Sequence, residues 1–256
     1  MSQRWTRPGV GGAVLYATLA AVVGTVATLT TRLTLARRRG QRAAANGLPD
    51  GPIIVISNHT SYADGVLLAL ACRRLGRSLR LLATSGVFRA PVIGRVARRL
   101  GFIPVNRGGP SAVHALDTAL EALAAGEAIG LYPEGRITRD PAMWPERAKT
   151  GAVRLALRSG APIVPVAIVG AHEVVGRRRI LWRMLSNVVR RPRVRVEVGD
   201  PIDVRRLVTT DDPPPGEIRA AADAVMARLV TLVATLREES PEHPSGVPAA
   251  ALRAGD

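Results

Sequence analysis

Between residues 53 and 198 the chain alternates short apolar runs, dense in Ile and Val, with longer stretches whose apolar residues recur at helical spacing. Residues 53–56, 79–83, 102–105, 128–132, 163–169 and 194–198 read as strands. Helices are expected over 61–75, 87–100 and 111–125, the last N-capped by Ser111 and closed by Gly126, and from Thr150 to a stop at Gly160. Pro104 marks its strand as an edge or a strand end, because it cannot donate to a ladder. Alternation of this kind specifies an α/β domain with a mixed, largely parallel central sheet flanked by helices. A break at residues 211–215 precedes a final helix over about 216–236, expected to pack on the domain. The tail from Ser240, with its prolines and small residues, is expected to be disordered. With 256 residues one core suffices.

Residues 8–31 carry no charge and would extend about 36 Å as a helix, enough for a bilayer core of about 30 Å. Five threonines and several glycines dilute the apolar signal, so a tilted or half-inserted helix fits as well as a spanning one. Arg4 and Arg7 precede the run, whereas Arg32, Arg37, Arg38, Arg39 and Arg42 follow it, which places the body of the protein on the cytoplasmic side of a cell membrane. The competing reading is a buried helix of a soluble domain. Residues 41–51 read as a short linker.

The net charge of +16 favours anionic partners: an anionic membrane surface, a phosphorylated small molecule or nucleic acid. Nucleic acid is not expected, since aromatics make up only 3% of the chain and no recognition motif is present. The lone cysteine, Cys72, excludes an intramolecular disulfide and a Cys-based zinc site, and reads as a packing thiol. Residues 177–185 mix arginines with Ile180, Leu181, Trp182, Met184 and Leu185. They read as an interfacial segment for anionic lipid or as a solvated basic helix.

The chain has four histidines, and one falls where a strand meets a helix: Asn58-His59-Thr60-Ser61-Tyr62-Ala63-Asp64. The strand should deliver Asn58 and His59 to the carboxyl edge of the sheet, where open α/β sheets bind ligands. Ser61-x-x-Asp64 has the spacing of a capping box, with Ser61 as N-cap and Asp64 folded back over the helix start. A carboxylate there can reach His59, fix its tautomer and leave the other ring nitrogen as a base. The bland alternative is a capping cluster with an idle histidine. No Gly-x-Ser-x-Gly elbow accompanies it, so the base would act on a substrate group.

Three further motifs suit an anionic ligand. Residues 101–109 end an apolar strand in Arg107 and two glycines. In residues 132–138, Gly135 allows a tight turn whose amide would face an oxyanion, while Glu134 would hold Arg136 or Lys149 or bind a ligand hydroxyl. Lys149, the only lysine, stands at a helix start, where an ammonium suits a phosphate. Each has an ordinary reading as a surface turn or an exposed charge.

Taken in order, these blocks resemble the glycerolipid acyltransferase family, specifically the 1-acylglycerol-3-phosphate (lysophosphatidate) acyltransferases. His59-x4-Asp64 matches the family's first motif. Residues 101–107 resemble its second, Pro133-Glu134-Gly135 its third, and residues 163–168 its fourth; together they cover roughly 45–205. The third block departs from the usual pattern, because Arg136 follows Gly135 directly. The resemblance implies the glycerolipid acyltransferase fold, with residues 1–44 as membrane anchor and linker, 45–210 as catalytic domain, 211–239 as packed C-terminal helix and 240–256 as tail. It implies acyl transfer from acyl-CoA or acyl carrier protein to a lysophospholipid hydroxyl, giving phosphatidate, with His59 and Asp64 catalytic. Asn58, Arg107, Glu134, Gly135, Arg136 and Lys149 would then bind substrate, and no metal or other cofactor is required. Glycerol 3-phosphate, another lysophospholipid or a glycolipid are alternative acceptors.

Overall fold

The computed structural model describes residues 9–36, 47–105, 111–175 and 186–237. Its frame is one seven-stranded sheet. In chain order the strands are β1 (Arg32–Ala36), β2 (Ile53–Ser57), β3 (Leu79–Thr84), β4 (Ile103–Val105), β5 (Ala128–Leu131), β6 (Ile163–Val169) and β7 (Arg193–Val198). In space they run β1-β7-β6-β2-β5-β3-β4, and every neighbouring pair is parallel except β6 with β7. β2 therefore lies inside the sheet with a parallel partner on each side, and all five residues are buried.

The strand period distributes the core. Ile54 and Ile56 of β2 face one layer with Ile163 and Ala167 of β6; Ile53 and Val55 face the other with Val164, Val166 and Ile168. Helices α5 (Ser111–Ala124), α6 (Gly151–Ser159) and α8 (Pro215–Arg237) cover the first face, and α2 (Asp64–Arg74) covers the second. Fully buried Leu229, Val230 and Val233 seat α8, which lies along β6. Cys72 is buried in the second layer, where loss of hydration pushes its thiol up to about 12. It is a packing group, as its apolar setting suggests.

Two expected elements differ. The helix foreseen over 87–100 is two helices, α3 (Ser85–Arg89) and α4 (Pro91–Arg99), because the residue before a proline is pushed out of helical geometry and Ala90 is extended at ψ 126°. The first five residues of the charged run after the apolar N-terminal segment form a strand that the apolar patterning did not mark, since β1 pairs in parallel with β7 along Arg32–Ala36. Pro104 does sit in an edge strand, β4. The tail from Ser240 and the segment 177–185 lie outside the described residues.

Helix α1 (Val10–Thr30) is 21 residues of mean hydropathy 1.9 and is largely uncovered, with Val10, Val14, Val22, Val26 and Leu29 exposed. Among the described residues it is the one helix long and apolar enough to cross a membrane. Thr18, Thr25 and Thr30 each donate the hydroxyl to the carbonyl four residues back, so the threonines dilute its apolar surface less than their number suggests. Tyr16 and Ala27 are its buried residues; the Tyr16 ring lies beneath Arg73 and Arg80, with each guanidinium within 6 Å of its centroid.

Gly170 caps the end of β6 at φ +92°, and a Cβ there would clash with the Arg193 carbonyl oxygen. Gly170→Ala is expected to cost at least ~1–3 kcal/mol, through a forbidden φ together with a backbone clash, and to lower Tm in thermal unfolding.

Candidate active site

β2 ends at Ser57, and the next two residues leave the sheet in opposite roles. Asn58 is buried; its amide nitrogen donates to the Ile168 carbonyl at 2.8 Å and its amide oxygen accepts the Ile168 N–H at 2.8 Å. The side chain thus continues the β2–β6 pairing where the backbone turns away. It was expected to touch substrate; instead both polar atoms are committed to β6. His59 projects into the edge, one-fifth exposed, and its Nδ1 meets Asp64 Oδ2 at 2.9 Å.

Asp64 is fully buried at the first residue of α2. Its Oδ2 also accepts the Thr60 N–H at 2.6 Å and the Ser61 N–H at 2.7 Å. The return bond to Ser61 is half of the expected capping box. The other half is replaced: Ser61 Oγ accepts from Ala63 N and donates to the Val175 carbonyl, tying the turn to the segment after β6. A carboxylate with no solvent needs such donors to stay charged. With His59 Nδ1 donating to it, Nε2 is the acceptor nitrogen of the neutral ring.

The histidine is gripped from the β5 side as well. Tyr132, the residue after β5, stacks on the imidazole with centroids 4.1 Å apart and planes 16° apart. Glu134 Oε1 accepts the His59 N–H, Glu134 Oε2 accepts the Glu146 N–H, and the Thr138 N–H donates to the His59 carbonyl. Glu134 therefore staples the His59 turn to the 133–149 loop. The foreseen bond from Glu134 to Arg136 or Lys149 is not made; Arg136 pairs with Glu146 instead, through Nε and Nη2 at 3.0 and 2.7 Å. Burial pushes the Glu134 carboxyl up to about 7, against the pull of the two amides.

Gly135 takes the tight turn foreseen for it, at φ +70°. Its N–H donates to the Tyr132 carbonyl at 2.9 Å, so that amide is not presented to an oxyanion. The Lys149 side chain crosses directly over it: a Cβ on Gly135 would meet Lys149 Nζ at 3.2 Å. Thr150 is the N-cap residue of α6 and Gly160 its left-handed C-cap. Arg107 lies outside the described residues.

His59, Gly135, Lys149 and the first turn of α6 border one cavity of about 660 Å³. Its lining is largely apolar and includes Leu81, Leu82, Val105, Leu116, Leu131 and Tyr132. Trp144 is not part of this wall; it is buried in the core beneath the Arg237 guanidinium, 4.6 Å from the ring centroid. The sequence reading gave no role to Tyr132, Thr138 or Glu146. Tyr132 had a usable signal, as the polar-tipped residue ending a strand beside β2, but its contact with His59 depends on β5 being β2's neighbour.

An imidazole hydrogen-bonded to a buried carboxylate thus borders a largely apolar cavity that Lys149 also lines. Residues 36–169 match the family described as Acyltransferase, and the chain belongs to that family. It is 32% identical over 127 residues to the chloroplastic 1-acyl-sn-glycerol-3-phosphate acyltransferase BAT2 of Brassica napus, covering 49% of this chain and 35% of that protein. It is 30% identical over 178 residues to the N-acylphosphatidylethanolamine synthase of Arabidopsis thaliana, covering 63% and 60%. The match thus spans about a third of the length of the plant chloroplast relative. The fold is that of the 1-acyl-sn-glycerophosphate acyltransferase PlsC of Thermotoga maritima, with TM-score 0.61, 19% identity and coverage of 89% and 83%.

The Glu134 carboxyl carries a sign that can be checked. Its pKa is raised from 4.5 in the unfolded chain to about 7, so its contribution to stability is full below about pH 4.5 and is lost as the pH rises through about 7. Glu134→Gln is expected to flatten that part of the stability–pH curve between pH 5 and 8, followed by thermal unfolding. An unchanged slope would show that the group does not titrate there.

Proposed function

We propose that the chain is a membrane-associated O-acyltransferase that moves a fatty acyl group from an acyl thioester to the free hydroxyl of 1-acylglycerol 3-phosphate, giving phosphatidate. The observation that carries this reading is the His59–Asp64 pair, whose imidazole borders the apolar cavity. A volume of about 660 Å³ lies within the ~300–1,000 Å³ usual for ligand sites, and its lining suits a hydrocarbon chain.

His59 Nε2 takes the proton of the acceptor hydroxyl as its oxygen attacks the thioester carbonyl. The tetrahedral intermediate collapses, the carbon–sulfur bond breaks, and the imidazolium returns the proton to the leaving thiolate. Asp64 stabilises the imidazolium without itself being protonated. The donor is acyl-CoA or acyl carrier protein, and the carrier's thiol is the leaving group in either case. Lys149 and the N–H groups opening α6, which border the cavity, supply positive potential for the acceptor phosphate, and Arg136 and Arg107 join them on the strength of the motif order alone. No covalent enzyme intermediate and no metal enter this sequence of steps.

The exposed apolar surface of α1 supports attachment to a membrane, and the arginines after it support a cytoplasmic catalytic domain. A second reading concerns the acceptor alone. Arg136 follows Gly135 directly and is paired with Glu146, so its guanidinium is partly committed, which leaves room for another lysophospholipid, glycerol 3-phosphate or a glycolipid hydroxyl.

The direct test is acyl transfer by purified full-length protein against a panel of lysolipids with both donor types; lysophosphatidate is expected to give the highest kcat/KM. His59→Ala is expected to lower kcat by ~10²–10⁴ while membrane binding persists. Turnover at the wild-type level would sink the assigned role. Removing residues 1–31 is expected to shift the protein from the membrane pellet to the supernatant in a sedimentation assay.

A further inference from the structure

Around Asp64 the hydrogen bonds are unevenly shared. Oδ2 has three donors, yet Oδ1 is buried and has none among the described residues. Two other buried hydroxyls of the same turn region, Thr60 Oγ1 and Tyr132 Oη, are likewise without partners. Buried polar atoms are almost always paired, with protein or with ordered water, and each orphan is costly. Tyr132 Oη lies against the first turn of α2: a Cβ on Gly65, the residue after Asp64, would be 3.8 Å from it. The two unmet groups also complement each other, since the carboxylate accepts and the phenol donates. Burial and the neighbouring Asp64 charge push the Tyr132 hydroxyl well above its usual range, so it remains a donor at any working pH.

The ring of the same residue covers one face of the imidazole at 4.1 Å. A near-parallel stack limits rotation of His59 about its ring torsion, which the single Nδ1–Oδ2 bond does not do alone. Tyr132 thus stacks on one member of the pair and places its hydroxyl against the helix turn that carries the other.

The geometry points to Tyr132 as the positioning residue of the His59–Asp64 pair: its ring holds the imidazole plane, and its hydroxyl reaches Asp64 Oδ1 through one bridging water. This rests on the reading of His59 as the base. It assigns no proton transfer to Tyr132, whose side chain also lines the cavity but whose hydroxyl stays protonated. Its consequence is selective. Replacing the ring by an apolar side chain of similar volume should leave substrate binding in place, because the lining stays apolar and Leu81, Leu116, Leu131 and Lys149 remain, while the fraction of molecules with Nε2 aimed at the acceptor falls.

The test compares full-length wild type, Tyr132→Phe and Tyr132→Met in detergent micelles, by steady-state kinetics and by ¹⁵N-histidine NMR, where four histidines give an assignable spectrum. Tyr132→Met keeps volume without the ring and is expected to lower kcat by about 10²-fold, with both KM values within about threefold of wild type. Tyr132→Phe keeps the stack and loses the water bridge, so kcat should recover to within about 3–10-fold of wild type. In the spectrum, His59 should be a single Nδ1–H tautomer in wild type and Tyr132→Phe, and a tautomer mixture in Tyr132→Met. A loss carried by KM, equal defects in Phe and Met, or an unmoved tautomer in Met would each overturn the assignment. If Tyr132→Met does not fold, Tyr132→Leu takes its place. His59→Ala separates the two readings: an inactive His59→Ala beside a fully active Tyr132→Met removes the positioning role alone, whereas an active His59→Ala removes the base itself.

Discussion

One buried oxygen atom organises the site. Asp64 Oδ2 collects N–H groups from His59, Thr60 and Ser61, which are three of the first four residues after β2 ends. A carboxylate shut off from water is tolerable only if donors converge on it, and the convergence here folds the chain into a tight turn around the charge. That turn aims the imidazole, starts α2 and fixes the angle at which α2 leaves the sheet. The charge is therefore a structural centre before it is a chemical one. Its removal would release the helix start and the histidine together.

The sheet makes this arrangement possible by placing β2 between β5 and β6 in parallel register. Both neighbours make contacts across the carboxyl edge. β6 receives Asn58 through both amide groups, and the segment after β5 returns Tyr132 and Glu134 to His59. The residues that resemble a family motif thus fall into two groups. Asn58 and Glu134 hold backbone, whereas His59 and Lys149 face the cavity. A motif read only as a set of ligand-binding groups mixes the two.

Much of the fold was legible because it rests on local rules. The strand runs of β2, β5 and β6, the Gly160 stop and the His59–Asp64 contact follow from apolar patterning, helix-end chemistry and spacing. What was not legible depends on who neighbours whom. The exclusive attachment of Asn58 to Ile168 joins residues 110 apart, and the Tyr132 stack requires knowing that β5 lies beside β2. The role of Gly135 failed for a different reason. Its positive φ was foreseeable, but a turn that needs that φ also consumes the N–H that would otherwise have faced a ligand. β1 was missed because its five residues carry an arginine and a threonine, and an edge strand needs no continuous apolar run.

β1 has a mechanical meaning. Thr31 alone separates α1 from β1, and β1 is locked into the sheet by its ladder with β7. The apolar helix is thus not tethered by a flexible leash; it is a rigid extension of an edge strand. A surface that grips α1 also sets the tilt of the sheet, and with it the height and direction of the cavity mouth above that surface. Lengthening this one-residue joint would leave the chemistry of His59 intact while uncoupling its aim from the plane in which a lipid lies.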